Sequence, residues 1–238
     1  MVDLHSHIIP KIDDGSQSIE TSILMLQEAK KAGFTDIFLT PHYIENYYDL
    51  DIQTRKEKFE ELQKIAKEKN IDINLYLGSE IFINPEIDVL YSKKAILTLN
   101  NSRYMLIEIP MNDTILYLDD VIENLTYMGI VPILAHPERY EYVQNDISVC
   151  ERLIDKGVLF QMNFGSIIGV YGKDVKKTAI KLLKNNYIHF LGSDVHRKES
   201  IYTKIESAKK KIIKIIGKEK FDILTIKNPN HIINNIEI

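Results

Sequence analysis

Seven short apolar runs separated by longer amphipathic stretches restrict this chain to folds built from repeated βα units around a parallel sheet or barrel. The runs fall at 2–4, 36–40, 73–77, 104–109, 131–136, 159–164 and 188–194. Between the first two, Ile19, Ile23, Leu26 and Ala29 recur at helical spacing, with Ser18 placed to cap the N-terminus and Gly33 to end the helix. Residues 51–70 are charged on most faces, but Phe59, Leu62 and Ile65 supply a core stripe, which predicts a helix with an exposed outer side. Weaker helical patterns occupy 116–128, 147–156, 173–185 and 202–216. No Gly/Ser/Pro-rich linker interrupts the alternation, so 1–238 is expected to form one α/β domain of a size that βα barrels reach.

In a βα barrel the C-terminal strand ends converge on one face, so the residue that ends each run is the informative one. His5 and His7 follow the first run, His42 the second and Glu80 the third; Glu108 lies near the end of the fourth, His136 ends the fifth, and Asp194 ends the seventh with His196 beyond. Six of the seven ends thus carry a group able to ligate a metal, and five of the seven histidines lie there. One isolated histidine is more often a hydrogen-bonded core or surface residue. Their conjunction beside apolar runs, where an unsatisfied polar group is costly, favours a metal site. His5-x-His7 and Asp194-x-His196 add to this, since alternate residues of an extended segment point the same way. Cys150 is the single cysteine, which excludes an internal disulfide and a thiolate cluster, so the metal chemistry must use nitrogen and oxygen.

A formal charge of -4 and a pI near 6.0 give no overall attraction to nucleic acid, and no nucleic-acid partner is expected. The opening MVDLHSHIIP lacks a leader pattern, and no run approaches the roughly 18 apolar residues of a membrane span. A cytoplasmic protein with no membrane insertion is the expectation. The lysine-rich stretch 204–220 carries Ile205, Ala208, Ile212, Ile215 and Ile216 at helical spacing and reads as an outer helix with a solvated face. His189 and His231 lack partner motifs and read as structural or exposed.

The residues assembled so far, His5-x-His7, Pro41-His42, Glu80, His136 and Asp194-x-His196, resemble the motifs of PHP (polymerase and histidinol phosphatase) domains. More narrowly, DLHSHIIPKIDDG, Glu80, Glu108, HPERY at 136–140, QMNFGSIIG at 161–169 and GSDVH at 192–196 resemble the bacterial PHP-type tyrosine-protein phosphatases of capsule and exopolysaccharide operons, over nearly the whole chain. The resemblance implies a distorted (β/α)7 barrel of the PHP type, up to three manganese ions (Mn2+), and hydrolysis of phosphotyrosine by a metal-activated water. It implies as partner the phosphotyrosine-bearing tail of a bacterial tyrosine kinase. One metal would sit on His5, His7, Glu80 and Asp194, a second on Glu80, Glu108 and His136, and a third on Asp14, His42 and His196. The mixed imidazole and carboxylate donors by themselves suit manganese, iron or zinc rather than calcium or magnesium alone.

Arg139 of HPERY matches a phosphate-binding arginine of that family, a role that a bidentate guanidinium fits. The family's second arginine lies several residues beyond the Asp-x-His pair, where this chain has Ile201; Arg197 is the candidate replacement from a different loop position. His42 or Asp14 is placed to protonate the leaving oxygen, and Tyr43, Tyr47 and Tyr48 to wall the substrate ring. A cysteine-based phosphatase would need an arginine six positions after Cys150, where Lys156 stands, so Cys150 reads as a buried helix residue. The alternatives are a PHP phosphatase for a small metabolite such as histidinol phosphate, and a metal-bound barrel that binds phosphorylated tails without turnover. A PHP nuclease is disfavoured because no basic track suits a phosphate backbone.

Overall fold

The computed structural model describes residues 1–113 and 115–238. Strand β1 (Val2–Asp3) leads through the His5-x-His7 segment to α1 (Ile19–Lys31), where Thr21 N–H donates to Ser18 Oγ at 3.2 Å, as the capping pattern predicts. There follow β2 (Asp36–Leu39), β3 (His42–Tyr43), α2 (Ile52–Glu68), β4 (Asn74–Leu77), β5 (Glu80–Phe82), α3 (Ile87–Ser92) and β6 (Tyr104–Glu108). The remainder is α4 (Leu118–Tyr127), β7 (Val131–Ala135), α5 (Glu141–Asn145), α6 (Ser148–Asp155), β8 (Leu159–Asn163), α7 (Phe164–Ile168), α8 (Lys173–Lys184), β9 (Phe190–Gly192), α9 (Ile205–Ile216), α10 (Lys218–Asp222) and α11 (Asn228–Ile233). Among the described residues no helix is long and apolar enough to cross a membrane.

All strand ladders are parallel, in the orders β1-β2-β4 and β3-β5-β6-β7-β8-β9. Seven staves account for these nine strands, because the chain bends just after the second and third runs, and β2 continues as β3 and β4 as β5. Pro41, with no N–H to donate, sits between β2 and β3. Gly78 sits between β4 and β5, where a Cβ would lie 2.7 Å from the Leu99 side chain. The last stave returns to the first: Asp194 N–H donates to His5 O at 2.8 Å and His7 N–H to Val195 O at 2.9 Å. The distorted (β/α)7 barrel expected from the sequence is the architecture found.

Alternation within the staves separates two layers of core. On β6, Met105 and Ile107 pack outward against the helices, whereas Tyr104 and Leu106 face inward with Leu4, Phe38, Ile133 and Phe190. Glu108 continues that inward row, so the strand period itself aims a carboxylate at the barrel axis.

Two expectations are corrected, and four short helices are added. Strand β8 stops at Asn163 and Phe164 opens α7, so the sixth run is shorter than its apolar pattern. The lysine-rich stretch is no single helix: Tyr202–Lys204 is a 3-10 turn, and Gly217 at φ +82° divides α9 from α10. The C-terminal helix α11 and the one-turn helices α3, α5 and α7 carry too few residues for a readable period. Cys150 is buried in α6, as read from the sequence.

Candidate metal centre

The donors at the C-terminal mouth are organised around an imidazole pair. His5 Nδ1 lies 2.8 Å from Gln161 Oε1, and His7 Nδ1 lies 2.7 Å from Asp13 Oδ2. Both partners are acceptors, so each Nδ1 donates its hydrogen to them and each ring turns its Nε2 inward. Those two Nε2 atoms are 3.0 Å apart. Glu80 Oε2 stands 3.1 and 3.3 Å from them and Asp194 Oδ1 3.7 and 3.6 Å. Two imidazole nitrogens and two carboxylate oxygens converging on one point form a donor set that a cation satisfies once the imidazoles give up their protons. Gly192 permits it, since a Cβ there would meet His5 Cβ and Gln161 Nε2, each at 2.7 Å.

Glu80 extends the cluster to the other side. Its Oε1 lies 3.0 Å from His136 Nε2, and its Oε2 is 2.9 Å from His42 Nδ1. Both Glu80 Oε2 and His42 Nδ1 are buried and lie outside hydrogen-bonding geometry, a second sign of a site built for a cation. Glu108 closes this group, with Oε1 3.6 Å from His136 Nε2 and Oε2 3.7 Å from His42 Nδ1. Asp14 Oδ1 lies 3.6 Å from His42 Nε2 and 3.4 Å from His196 Nε2, and the His196 ring stacks on His7 at 3.9 Å.

All nine candidate ligands therefore meet at one mouth, with two differences in grouping: His7, assigned from the resemblance to the first set alone, also falls with Asp14, His42 and His196. His42, assigned from the resemblance to the third set, spans two: its Nδ1 faces Glu80 and Glu108, and its Nε2 faces Asp14. His136 and Asp194 hold left-handed backbone, at φ 34° and 52°, a strained conformation for non-glycine residues that concentrates at functional sites.

The charge state without metal follows from this crowding. Burial opposes charge on His5 and His42, yet the carboxylates beside them, Glu80 foremost, raise them to about 9 and about 10. Burial and the neighbouring Glu80 push Glu108 up to about 8. Burial works against ionised Glu80 and Asp194 too, but the surrounding imidazoles, His5 first, hold both below the ordinary carboxylate range. Protons on the histidines thus occupy positions for which metal ions would compete.

Several supporting residues escape sequence reasoning. Asp13 is buried, and besides holding His7 it accepts His42 N–H at 2.9 Å and Gly15 N–H at 2.9 Å. Asn163 Nδ2 donates to Asp194 Oδ2 at 2.7 Å, and buried Glu138 fixes Asn163 by accepting its N–H at 2.9 Å. Arg55, 1 % exposed on α2, donates to the carbonyls of His42 (3.0 Å), Tyr48 (2.8 Å) and Leu50 (2.8 Å) and to Ser79 Oγ (3.3 Å), so it ties the segment after β3 to the residue before Glu80. The motifs IDDG and QMNFG contain Asp13 and Asn163, but adjacency alone does not reveal which side chain turns inward.

Beside the cluster lies a cavity of about 370 Å³ lined by Asp14, Arg139, Tyr171, Asp194, His196 and Arg197, with Lys204 and Ile201 at its edge. Arg139 Nη1 donates to Asp194 Oδ2 at 3.0 Å, and the guanidinium rests 4.8 Å from the Tyr171 ring centre. Arg197 lines the cavity as an exposed side chain, and Ile201 is buried. The expectation for Tyr43 is not met: it is 5 % exposed and packed in the core under Arg55. Neighbours in a strand point to opposite faces, so His42 toward the site puts Tyr43 away from it. Tyr47, 72 % exposed, stands on the rim against Tyr48, whose ring stacks on His42. His189 accepts Phe160 N–H through Nδ1 at 3.0 Å, a structural role. A larger groove of about 890 Å³, between α2 and β4, contains none of the candidate ligands.

A seven-stave parallel barrel with an imidazole and carboxylate cluster at its C-terminal mouth, and an arginine-bearing cavity beside it, defines a metal-dependent hydrolase of the PHP type. The chain belongs to the capsular polysaccharide synthesis family CpsB/CapC, whose model matches residues 1–234. It is 38% identical to the putative tyrosine-protein phosphatase CapC of Staphylococcus aureus over 82% of this chain and 77% of that one. It is 33% identical to the tyrosine-protein phosphatase CpsB of Streptococcus pneumoniae over 98% of each. Among solved structures it superposes on a crystal structure described for YwqE of Bacillus subtilis and CpsB of Streptococcus pneumoniae, unique metal-dependent tyrosine phosphatases, with TM-score 0.94, 30% identity and coverage of 100% and 96%. The zinc-bound histidinol phosphate phosphatase of Lactococcus lactis shares the fold at TM-score 0.61 and 17% identity, covering 90% and 93%.

Proposed function

We propose that the chain is a manganese-dependent protein-tyrosine phosphatase that removes phosphate from tyrosines on the flexible tail of a kinase governing capsular or exopolysaccharide synthesis, acting in the cytoplasm as one domain over residues 1–238. The observation that supports metal dependence most strongly is the facing Nε2 pair of His5 and His7 with Glu80 Oε2 beside both. Phosphotyrosine as substrate rests on relatives that are named tyrosine-protein phosphatases, CapC putatively.

His5, His7, Asp14, His42, Glu80, Glu108, His136, Asp194 and His196 would hold up to three ions. The chemistry such a cluster supplies when bound is acidification of a water and neutralisation of charge on the phosphoryl oxygens. Arg139 binds the phosphate: its guanidinium already points at Asp194 and has N–H groups to offer a second anion. Arg197 adds positive potential on the cavity wall. His42 and Asp14, 3.6 Å apart at the mouth, are the candidates for passing a proton to the leaving tyrosyl oxygen. Tyr47 on the rim gives an aromatic edge open to solvent, which suits a substrate ring borne on a chain rather than a metabolite enclosed whole.

The deciding measurement is steady-state hydrolysis with manganese of a phosphotyrosine peptide, a phosphoserine peptide and histidinol phosphate, with a chelator control. Phosphotyrosine is expected to be preferred and the chelator to abolish turnover. A kcat/KM for histidinol phosphate about tenfold higher, roughly 1.4 kcal/mol of transition-state preference, would transfer the assignment to a metabolic phosphatase.

A further inference from the structure

The connection from β9 to α9 carries Arg197, Lys198 and Lys204, and none of the three takes part in an ion pair among the described residues. The loop is nevertheless held in place. Glu199 N–H donates to the Glu28 carboxylate of α1 at 2.9 and 3.0 Å, and Thr203 Oγ1 donates to Ser200 O at 2.8 Å. The fold thus fixes this backbone while leaving its cations without partners.

These cations line two adjoining cavities. The first, of about 370 Å³, is the one that holds Arg139 and Tyr171, with Lys204 at its edge. The second, of about 400 Å³, is lined by Gly15, Gln17, Thr21 and Lys198. Asp14, His196 and Arg197 line both, so the two cavities adjoin across these residues beside the metal cluster. The one carboxylate that faces both cavities, Asp14, is engaged with His42 and His196. Successive side chains of an extended peptide are about 3.3 Å apart along the chain, and Arg197, which lines the cavity of Arg139, also lines the second, so it stands on the side a residue flanking the phosphotyrosine would meet.

We infer that Arg197 and Lys198 form a subsite for an acidic side chain next to the phosphotyrosine, and so make this chain selective for phosphotyrosine segments that carry a flanking Asp or Glu. The inference rests on the phosphatase assignment above and deepens it. The attraction is between exposed charges, so it is modest and screened by salt: a preference of about threefold to tenfold at low ionic strength is the expected scale for two such contacts.

The test uses the full chain loaded with manganese and two phosphotyrosine peptides that differ only in having Glu or Gln beside the phosphotyrosine. Glu should raise kcat/KM about threefold to tenfold at low salt, and the ratio should shrink toward one as salt is raised. Lys198→Ala should lower the Glu/Gln ratio and Lys198→Arg should retain it. Because the ratio is taken within one enzyme preparation, partial loss of fold or metal cancels. A ratio of one in the unmodified chain, or a ratio unaltered by both Lys198→Ala and Arg197→Ala, would overturn the subsite. Hydrolysis of histidinol phosphate with no turnover of either peptide would instead overturn the tyrosine phosphatase assignment and the subsite with it.

Discussion

Asp13 Oδ2 lies 2.7 Å from His7 Nδ1 and also accepts the backbone N–H of His42 at 2.9 Å, so one buried carboxylate orients two candidate ligands on different staves. Ionised Asp13 is favoured by this position: burial alone would raise its pKa, but the His7 imidazole and the two backbone N–H donors hold it well below the ordinary range. A carboxylate behind a ligating imidazole fixes the tautomer and increases its basicity.

Asp13→Ala is therefore expected to lower metal affinity about 10- to 100-fold, the range found when such supporting partners are removed. Titration with manganese followed by calorimetry checks it. Unchanged affinity in a folded variant would show that His7 is oriented by other contacts.

Arg139 and the ligands separate by readout. His136→Ala and Asp194→Ala should lose metal and with it nearly all turnover, because each removes a donor that no neighbour replaces. Arg139→Ala should retain metal while kcat/KM falls about 100-fold or more, as for loss of a donor to a developing oxyanion. Elemental analysis beside kinetics distinguishes the cases, and metal loss in Arg139→Ala would show that its contact with Asp194 is needed to build the site.

The barrel was legible because its staves are apolar on both faces, and the nine candidate ligands because they interrupt that apolarity where strands end. What stayed hidden depends on facing rather than on composition. Asp13 and Asp14 are neighbours of identical type, yet the first is buried behind His7 and the second half exposed beside His196. Tyr43 and His42 are likewise adjacent, and their facing is set by the bend at Pro41, which no periodicity records. Arg55 lies in a helix so rich in charge that a buried guanidinium looks like one more solvated residue.

Arg55 gives the third prediction. Its guanidinium satisfies three carbonyls around the His42–Leu50 turn without a carboxylate partner. Arg55→Met keeps much of the apolar volume but leaves these acceptors unpaired, at a cost of about 1–3 kcal/mol for each buried unsatisfied group. Thermal or urea unfolding should show a loss of about 2–5 kcal/mol in total, since water will reach some of the freed carbonyls. A change below about 0.5 kcal/mol would mean that the turn is held without Arg55.

The last prediction concerns pH. In the metal-free chain burial opposes charge on His5 and His42, but Glu80 and the other carboxylates raise them to about 9 and about 10, above the ordinary 6.5. The stability these two contribute is fully present below about pH 6.5 and is lost as pH rises through about 9 and 10. Glu108, pushed up to about 8 by burial and by Glu80, also keeps its proton through neutral pH. A metal on these residues needs the same lone pairs without their protons, so binding releases protons between pH 6 and pH 8, and affinity rises about tenfold per pH unit for each proton displaced. Added manganese should accordingly raise Tm more at pH 8 than at pH 6, with proton release measurable by calorimetry in buffers of different ionisation enthalpy. Metal affinity independent of pH over that interval would show that the histidines are already deprotonated, and that the carboxylates around them do not raise their pKa as the geometry requires.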